Sequence, residues 1–388
     1  MSDFIVVGNI SDDPFSLDMA SLCGQSEDIS DVISLKSFAN TEFCPRFIVH
    51  DEKEFEKIGE GLSGKTVIIC STVHHQTQSR NALAMRTMII ANAAKENGAK
   101  KVILIEPDLF YSAQDRGPNL SDIEDSRSTR DLKKFDGQSF TARMYASLLK
   151  TAGIDVVVTV HNHSLNVQRE FSQTFNGEFY NLCPAEVYAD YIKRSDMVVT
   201  GKDGDNLILC APDNGAVPFA IEVMKALDLP KSCMVIMAKE RSGERQVELQ
   251  VKKDSPCSLA DIKGKDVIVL DDMVRTGGTI IECCKLLAQG KPNKLCFGVT
   301  HFYASPEGRV TLNAKVLDEI LTLNSIPSIL NRDMQGRLRK KMVVLKIEKW
   351  IAKFILEYMQ KDSSKFEKDF YTGDMSSKNP RWRPSSIF

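Results

Sequence analysis

Val267-Ile268-Val269-Leu270-Asp271-Asp272-Met273-Val274-Arg275-Thr276-Gly277-Gly278-Thr279 is the stretch that decides the fold. Four apolar residues run into two carboxylates. A Thr-Gly-Gly-Thr turn follows, and then a helical pattern over 279–288. This reads as strand, tight turn and helix. Small residues let backbone N–H groups converge on a phosphate, and the helix N-terminus adds a favourable dipole. The expectation is a phosphate in the turn Thr276, Gly277, Gly278, Thr279. Asp271 and Asp272 sit one step back, where they can accept hydrogen bonds from sugar hydroxyls. An acidic pair beside a phosphate nest suits a sugar phosphate better than a bare nucleotide. The bland alternative is a capped turn with a solvated acidic pair.

Working outward, short β-branched runs alternate with longer helical patterns. Strands are predicted at 4–7, 66–70, 102–105, 156–160, 207–210, 234–237, 267–270 and 296–300. Helices are predicted at 81–97, 139–151, 216–227 and 279–288. Such alternation implies an α/β fold with mainly parallel sheets covered by helices. A chain of 388 residues with this many units fits two domains better than one. The expected division is 1–155 and 156–342. A final strand and helix at 343–359 is a candidate to pack back on the first domain. Residues 360–388 form a polar extension that Phe370, Tyr371, Trp382 and Phe388 can anchor. The segment 117–137, polar and mixed in charge, is expected to be a long loop.

Composition sets bounds. A net charge of -2 gives no sign of nucleic acid or an acidic membrane as partner. No run approaches the ~18 apolar residues needed to span a bilayer, and the first residues lack the basic lead of a signal peptide. The expected location is cytoplasmic. Ten cysteines without a CxxC spacing make a structural zinc site a poor reading, and buried reduced thiols the expected one.

The strand-turn-helix segment resembles the ribose-phosphate-binding loop of phosphoribosyltransferases. Other segments narrow the resemblance to the ribose-phosphate pyrophosphokinases, the synthetases of phosphoribosyl pyrophosphate. Phe38-Ala39-Asn40-Thr41-Glu42 resembles their adenine segment, which reaches a neighbouring subunit's ATP site. That implies Phe38 stacked on the base, with Asn40 and Glu42 on its edge. Tyr111-Ser112-Ala113-Gln114-Asp115-Arg116 resembles the ATP segment and implies contacts from Gln114 and Asp115, with Ala113 where the family has an arginine. His163 falls on the family histidine at the magnesium and ATP phosphates, with His161 replacing an aspartate. Those two histidines share a strand face, but two ligands alone are weak evidence for zinc. Asp213-Asn214-Gly215 resembles the pyrophosphate loop, and Asp213 matches a carboxylate that helps hold magnesium. Lys239-Glu240-Arg241 resembles the catalytic flexible loop, implying Lys239 and Arg241 as the cationic catalysts.

The resemblance spans about 4–358 and implies two tandem phosphoribosyltransferase-like domains, with ATP near their junction. It implies ATP and ribose 5-phosphate as substrates, Mg2+ as cofactor, and a homo-oligomer of at least two subunits, with a hexamer as the common form. Two rival readings stay open. A phosphoribosyltransferase acting on a base would need no ATP segment. A non-catalytic subunit that co-assembles with a true synthetase would tolerate Ala113, His161 and Arg275, the last standing where the family favours Asp.

Overall fold

The computed structural model describes residues 3–48, 58–73, 78–117, 133–241, 247–303 and 305–374. They form two compact units, Met1–Leu182 and Cys183–Phe388. The first contains β1 (Phe4–Gly8), β2 (Ile33–Ser37), β3 (Phe43–Phe47), β4 (Thr66–Cys70), β5 (Lys101–Ile105), β6 (Val156–Val160) and β7 (Phe179–Leu182). Five of these make a parallel sheet in the order β1-β4-β5-β6-β7. Val67 to Cys70 and Val102 to Ile105 are fully buried, as expected for parallel strands covered on both faces. Helices Arg80–Glu96, Thr141–Thr151 and Leu165–Thr174 make the crossovers. β2 and β3 form a separate antiparallel hairpin.

The expected division at 155/156 is corrected. β6 pairs with β5 through Ile103 and Val156, and with β7 on its other side, so it lies inside the first sheet. A valine-rich run suits the last strands of one sheet or the first strand of the next equally well, and the pattern does not record sheet membership. The division falls at 182/183 instead.

The second unit adds β8 (Leu207–Ala211), β9 (Cys233–Arg241), β10 (Val247–Val251), β11 (Asp266–Val274), β12 (Lys294–Phe302), β13 (Glu319–Leu323), β14 (Met342–Lys346) and β15 (Thr372–Gly373). Their order is β10-β9-β8-β11-β12-β13-β14-β15, parallel except at the edge strands β10 and β15. The chain passes from β8 outward to β9 and β10, then returns to the other side of β8 with β11. A reversal of this kind opens a crevice at the carboxyl ends of the two strands, which is where open α/β sheets bind ligands. Val267, Val269, Phe297, Ile320, Cys283 and Leu287 fill the core beneath it.

The closing strand and helix belong to this second sheet. β14 pairs with β13 and β15, and the Trp350 indole on the helix Glu348–Tyr358 donates to Glu186. The extension is tied down by Tyr371, which is buried and donates to Asp190 at 2.8 Å. Trp382, Phe388 and most of the 117–137 segment lie outside the described residues. The expectation of reduced thiols fails at Cys233 and Cys257, which form a disulfide, and Cys183 is exposed rather than buried. No described helix is long and apolar enough to cross a membrane.

Candidate active site

The site begins at the reversal between β8 and β11. Asp271 and Asp272 occupy the carboxyl-terminal part of β11, where the buried pattern gives way to partial exposure. The N–H of Asp272 donates to the Asp271 carboxylate at 2.9 Å. Burial, then the neighbouring Asp272, then Asp213 from the loop after β8, push the Asp271 carboxyl up to about 9. Asp213, on the loop after β8, thus bears electrostatically on Asp271 of the neighbouring β11. Behind them the thiols of Cys210 and Cys283 lie 3.8 Å apart and fully buried.

Asp213 also shapes its own loop. One carboxylate oxygen accepts from the N–H groups of Gly215 at 2.8 Å and Ala216 at 3.2 Å. Asn214 and Gly215 stay exposed ahead of the helix Val217–Leu227. The pyrophosphate segment is therefore a short ordered loop running into a helix start.

The Thr276–Thr279 turn leads into the helix Gly278–Ala288, whose cap position, Gly277, offers no side-chain acceptor to the first N–H groups. Gly277 is required twice over. Its φ of +73° lies in the left-handed region, and an added Cβ would meet Leu312 at 2.7 Å. Gly278 is different: a Cβ there meets nothing nearer than the Thr276 hydroxyl at 4.0 Å. The turn is thus a cradle of small residues at a helix N-terminus that has no side-chain cap, suited to an anion.

Lys239 and Arg241 lie at the far end of β9. They pair in register with Leu249 and Val247 of β10, and residues 242–246 between the strands lie outside the described residues. The cations therefore ride on a two-stranded arm at the sheet edge. The root of the arm is closed by the Cys233–Cys257 disulfide and by the Cys257 N–H donating to Met234 at 3.0 Å.

The first unit places two expected segments side by side. The Ser164 hydroxyl donates to Asp115 at 2.7 Å, joining the 111–116 segment to the loop after β6 that carries the exposed His163. Gln114 is held by the helix Thr141–Thr151, whose Thr141 hydroxyl donates to its amide oxygen at 2.6 Å. The adenine segment is the tip of the β2–β3 hairpin. Phe38 donates to Glu42 across it at 2.8 Å, the Asn40 side chain accepts from the Glu42 N–H at 3.2 Å, and Phe38 is 51% exposed. Among the described residues no group of three His, Cys, Asp or Glu side chains that could hold a metal ion forms.

One buried acid of the first unit is absent from the expected site residues. Glu106, at the end of β5, is wholly buried and hydrogen-bonded. An acid following an apolar strand was the available signal.

A β-sheet with this reversal, a carboxylate pair and a glycine cradle defines a phosphoribosyl transferase domain, and the sequence model described as "Phosphoribosyl transferase domain" matches residues 185–328. The relatives extend the match over both units. A ribose-phosphate pyrophosphokinase from Corynebacterium efficiens is 27% identical over 333 residues, 85% of this chain and 86% of that protein. Ribose-phosphate pyrophosphokinase 4 of Saccharomyces cerevisiae is 28% identical over 270 residues, covering 70% and 72%. In fold, the chain is similar to the crystal structure of phosphoribosylpyrophosphate synthetase from Mycobacterium smegmatis, with a TM-score of 0.68, 21% identity, and 92% and 99% of the two chains covered. The chain is thus similar to ribose-phosphate pyrophosphokinases along most of its length, and residues 185–328 match the phosphoribosyl transferase domain.

Proposed function

We propose that the chain transfers the diphosphate of ATP to the 1-hydroxyl of ribose 5-phosphate, giving phosphoribosyl pyrophosphate and AMP. The observation that carries this reading is the carboxylate pair of Asp271 and Asp272 set one strand-end back from the Gly277 cradle. The 5-phosphate rests on the Thr276–Thr279 turn, and the ring hydroxyls donate to Asp271 and Asp272. The anomeric oxygen attacks the β-phosphorus in line, and its hydroxyl proton is released to solvent. The bond from that phosphorus to the oxygen bridging to the α-phosphorus breaks, and AMP leaves with that oxygen.

Such a transfer asks little covalent chemistry of the protein, only positioning and charge stabilisation. Lys239 and Arg241 close on the charge that develops as the bridge breaks. Asn214 and Gly215 receive the transferred diphosphate. Phe38, Asn40 and Glu42 hold the adenine, and Gln114, Asp115 and His163 face the rest of the nucleotide.

Magnesium fits as a substrate-borne ion. This cation prefers oxygen ligands and usually takes one or two carboxylates together with substrate phosphates. Asp213 spends one oxygen on its own loop and offers the other. The bound ion supplies neutralisation of the triphosphate. His163, a nitrogen donor, suits the phosphates better than the metal.

The test is a coupled assay for AMP release from magnesium-ATP. Release that depends on ribose 5-phosphate supports the reading. A binding-competent protein that releases no AMP would instead support the non-catalytic subunit.

A further inference from the structure

A wholly buried glutamate stands outside the chemistry described above. Glu106 accepts three hydrogen bonds: from the Phe110 N–H at 2.8 Å, the Ser71 hydroxyl at 2.7 Å and the Tyr145 hydroxyl at 3.1 Å. An apolar side chain would occupy such a position without the desolvation cost of a carboxyl group. What the carboxylate does is join three elements. Ser71 follows β4, Phe110 opens the turn that runs to Asp115, and Tyr145 lies on the helix Thr141–Thr151.

Those elements are the mounting of the nucleotide segment. The Tyr145 ring meets Tyr111 edge-on at 5.0 Å, and Tyr111 holds a φ of +60° while donating to Asn81 at 2.8 Å. The Gln114 N–H donates to the Tyr111 carbonyl at 2.8 Å, and the same helix grips Gln114 through Thr141 and the Ala142 N–H. Asp115 comes next and meets Ser164. The shape of this turn therefore runs back to Glu106 through Phe110 and Tyr145.

We propose that Glu106 is a positioning residue for the nucleotide: ionised, it holds the 109–115 turn in the form that presents Gln114 and Asp115, and protonation loosens that form. The proposal rests on the reading that those two residues contact ATP. In the ionised state each of the three donors has an acceptor. In the neutral state the acid itself must donate, and either Ser71, which already accepts from Asn9 at 3.1 Å, or Tyr145 must turn round. The charged and titratable groups around it are Asp108, ion-paired with Arg80, together with Tyr111 and Tyr145. Burial is the main cause that pushes the carboxyl up, to about 7, against the three hydrogen bonds that pull it down. The loosening thus falls near neutral pH.

The experiment measures KM for magnesium-ATP, with kcat, from about pH 6 to about pH 8 in the wild type, Glu106→Gln, Tyr145→Phe and Asp115→Ala. If only the ionised form is competent, wild-type KM rises about tenfold from about pH 8 to about pH 6, as the competent fraction falls. Glu106→Gln is expected to show a raised KM without that added pH dependence, while the ionisation of ATP itself is common to both proteins. Tyr145→Phe removes one donor to the carboxylate and is expected to shift the midpoint upward. It also serves should Glu106→Gln fail to fold. An Asp115→Ala protein with unchanged KM for ATP would sink the nucleotide assignment and this proposal with it. If Asp115→Ala raises KM while neither Glu106→Gln nor Tyr145→Phe alters the pH profile, the proposal alone is overturned.

Discussion

The Asp272 N–H donates to the Asp271 carboxylate at 2.9 Å, so two acids adjacent in the chain are folded into one hydrogen-bonded corner. Burial, with the charges of Asp272 and Asp213, favours a proton on Asp271, whose carboxyl is pushed up to about 9. The native state then binds a proton that the unfolded chain releases above the ordinary carboxyl range. Stability is therefore fully present at acid pH and is lost as pH rises towards about 9. Asp271→Asn removes that loss and is expected to raise Tm at pH 8 by about 2–4 °C while leaving it nearly unchanged at low pH. Thermal melts at two pH values check this. Equal melting of the two proteins at pH 8 would contradict the buried proton.

The same corner predicts the ligand linkage. Ribose hydroxyls need carboxylate acceptors, so binding ribose 5-phosphate expels the proton. Its affinity is expected to tighten as pH rises to about 9, with proton release visible as buffer-dependent heats in calorimetry. Affinity that falls with rising pH over this range would mean that the acid binds sugar in its neutral form.

Gly277 and Gly278 separate backbone strain from open space. Gly277→Ala must take a left-handed φ and push into Leu312, whereas Gly278→Ala meets open space. The first is expected to weaken ribose 5-phosphate binding at least tenfold, by about 1.4 kcal/mol or more, as the cradle shifts. The second should cost binding only through crowding of the phosphate, with stability unchanged. Paired Tm and calorimetric measurements distinguish them. A Gly277→Ala protein with native binding would remove the cradle from the phosphate site.

Much of this site is legible in the sequence because it is local. The run from Val267 to Thr279 names strand, acid pair, turn and helix within thirteen residues, although β11 runs on through the acid pair to Val274. What involves distant residues is not legible. Asp213 bears on Asp271 because β8 and β11 become neighbours, which no spacing announces. Cys233 and Cys257 meet because β10 folds back on β9, and β7, Phe-Tyr-Asn-Leu, is half polar and offers no apolar run. Glu106 reads as a strand-ending acid, and its three donors come from residues 35, 4 and 39 positions away.

The disulfide predicts a mechanical effect. It links residues 24 apart and encloses the arm bearing Lys239 and Arg241. Cutting it, with reductant or with Cys233→Ser and Cys257→Ser together, is expected to cost about 3 kcal/mol of stability through the entropy of the opened loop. If the arm acts at the transition state, kcat falls while ribose 5-phosphate binding holds. Unchanged melting after complete reduction would show that the strand pairing suffices.

The hairpin tip and the arm together make the sharpest test of assembly. Phe38 is half exposed and its turn is closed by its own backbone, so Phe38→Ala should leave Tm unaltered and raise KM for ATP. Lys239→Ala with Arg241→Ala should instead lower kcat and spare ribose 5-phosphate binding. If each hairpin serves a neighbouring subunit, the two defects reside in different chains of one site. Mixing a hairpin variant lacking Phe38, Asn40 and Glu42 side chains with the arm variant, then allowing subunits to exchange, creates sites with both parts intact. Random pairing in a closed oligomer restores about a quarter of wild-type activity. Hairpins that serve their own chain would give no recovery, because every site would keep one defect. Subunit exchange is verified separately by energy transfer between labelled chains, so a lack of recovery with proven exchange places Phe38 in its own subunit's site.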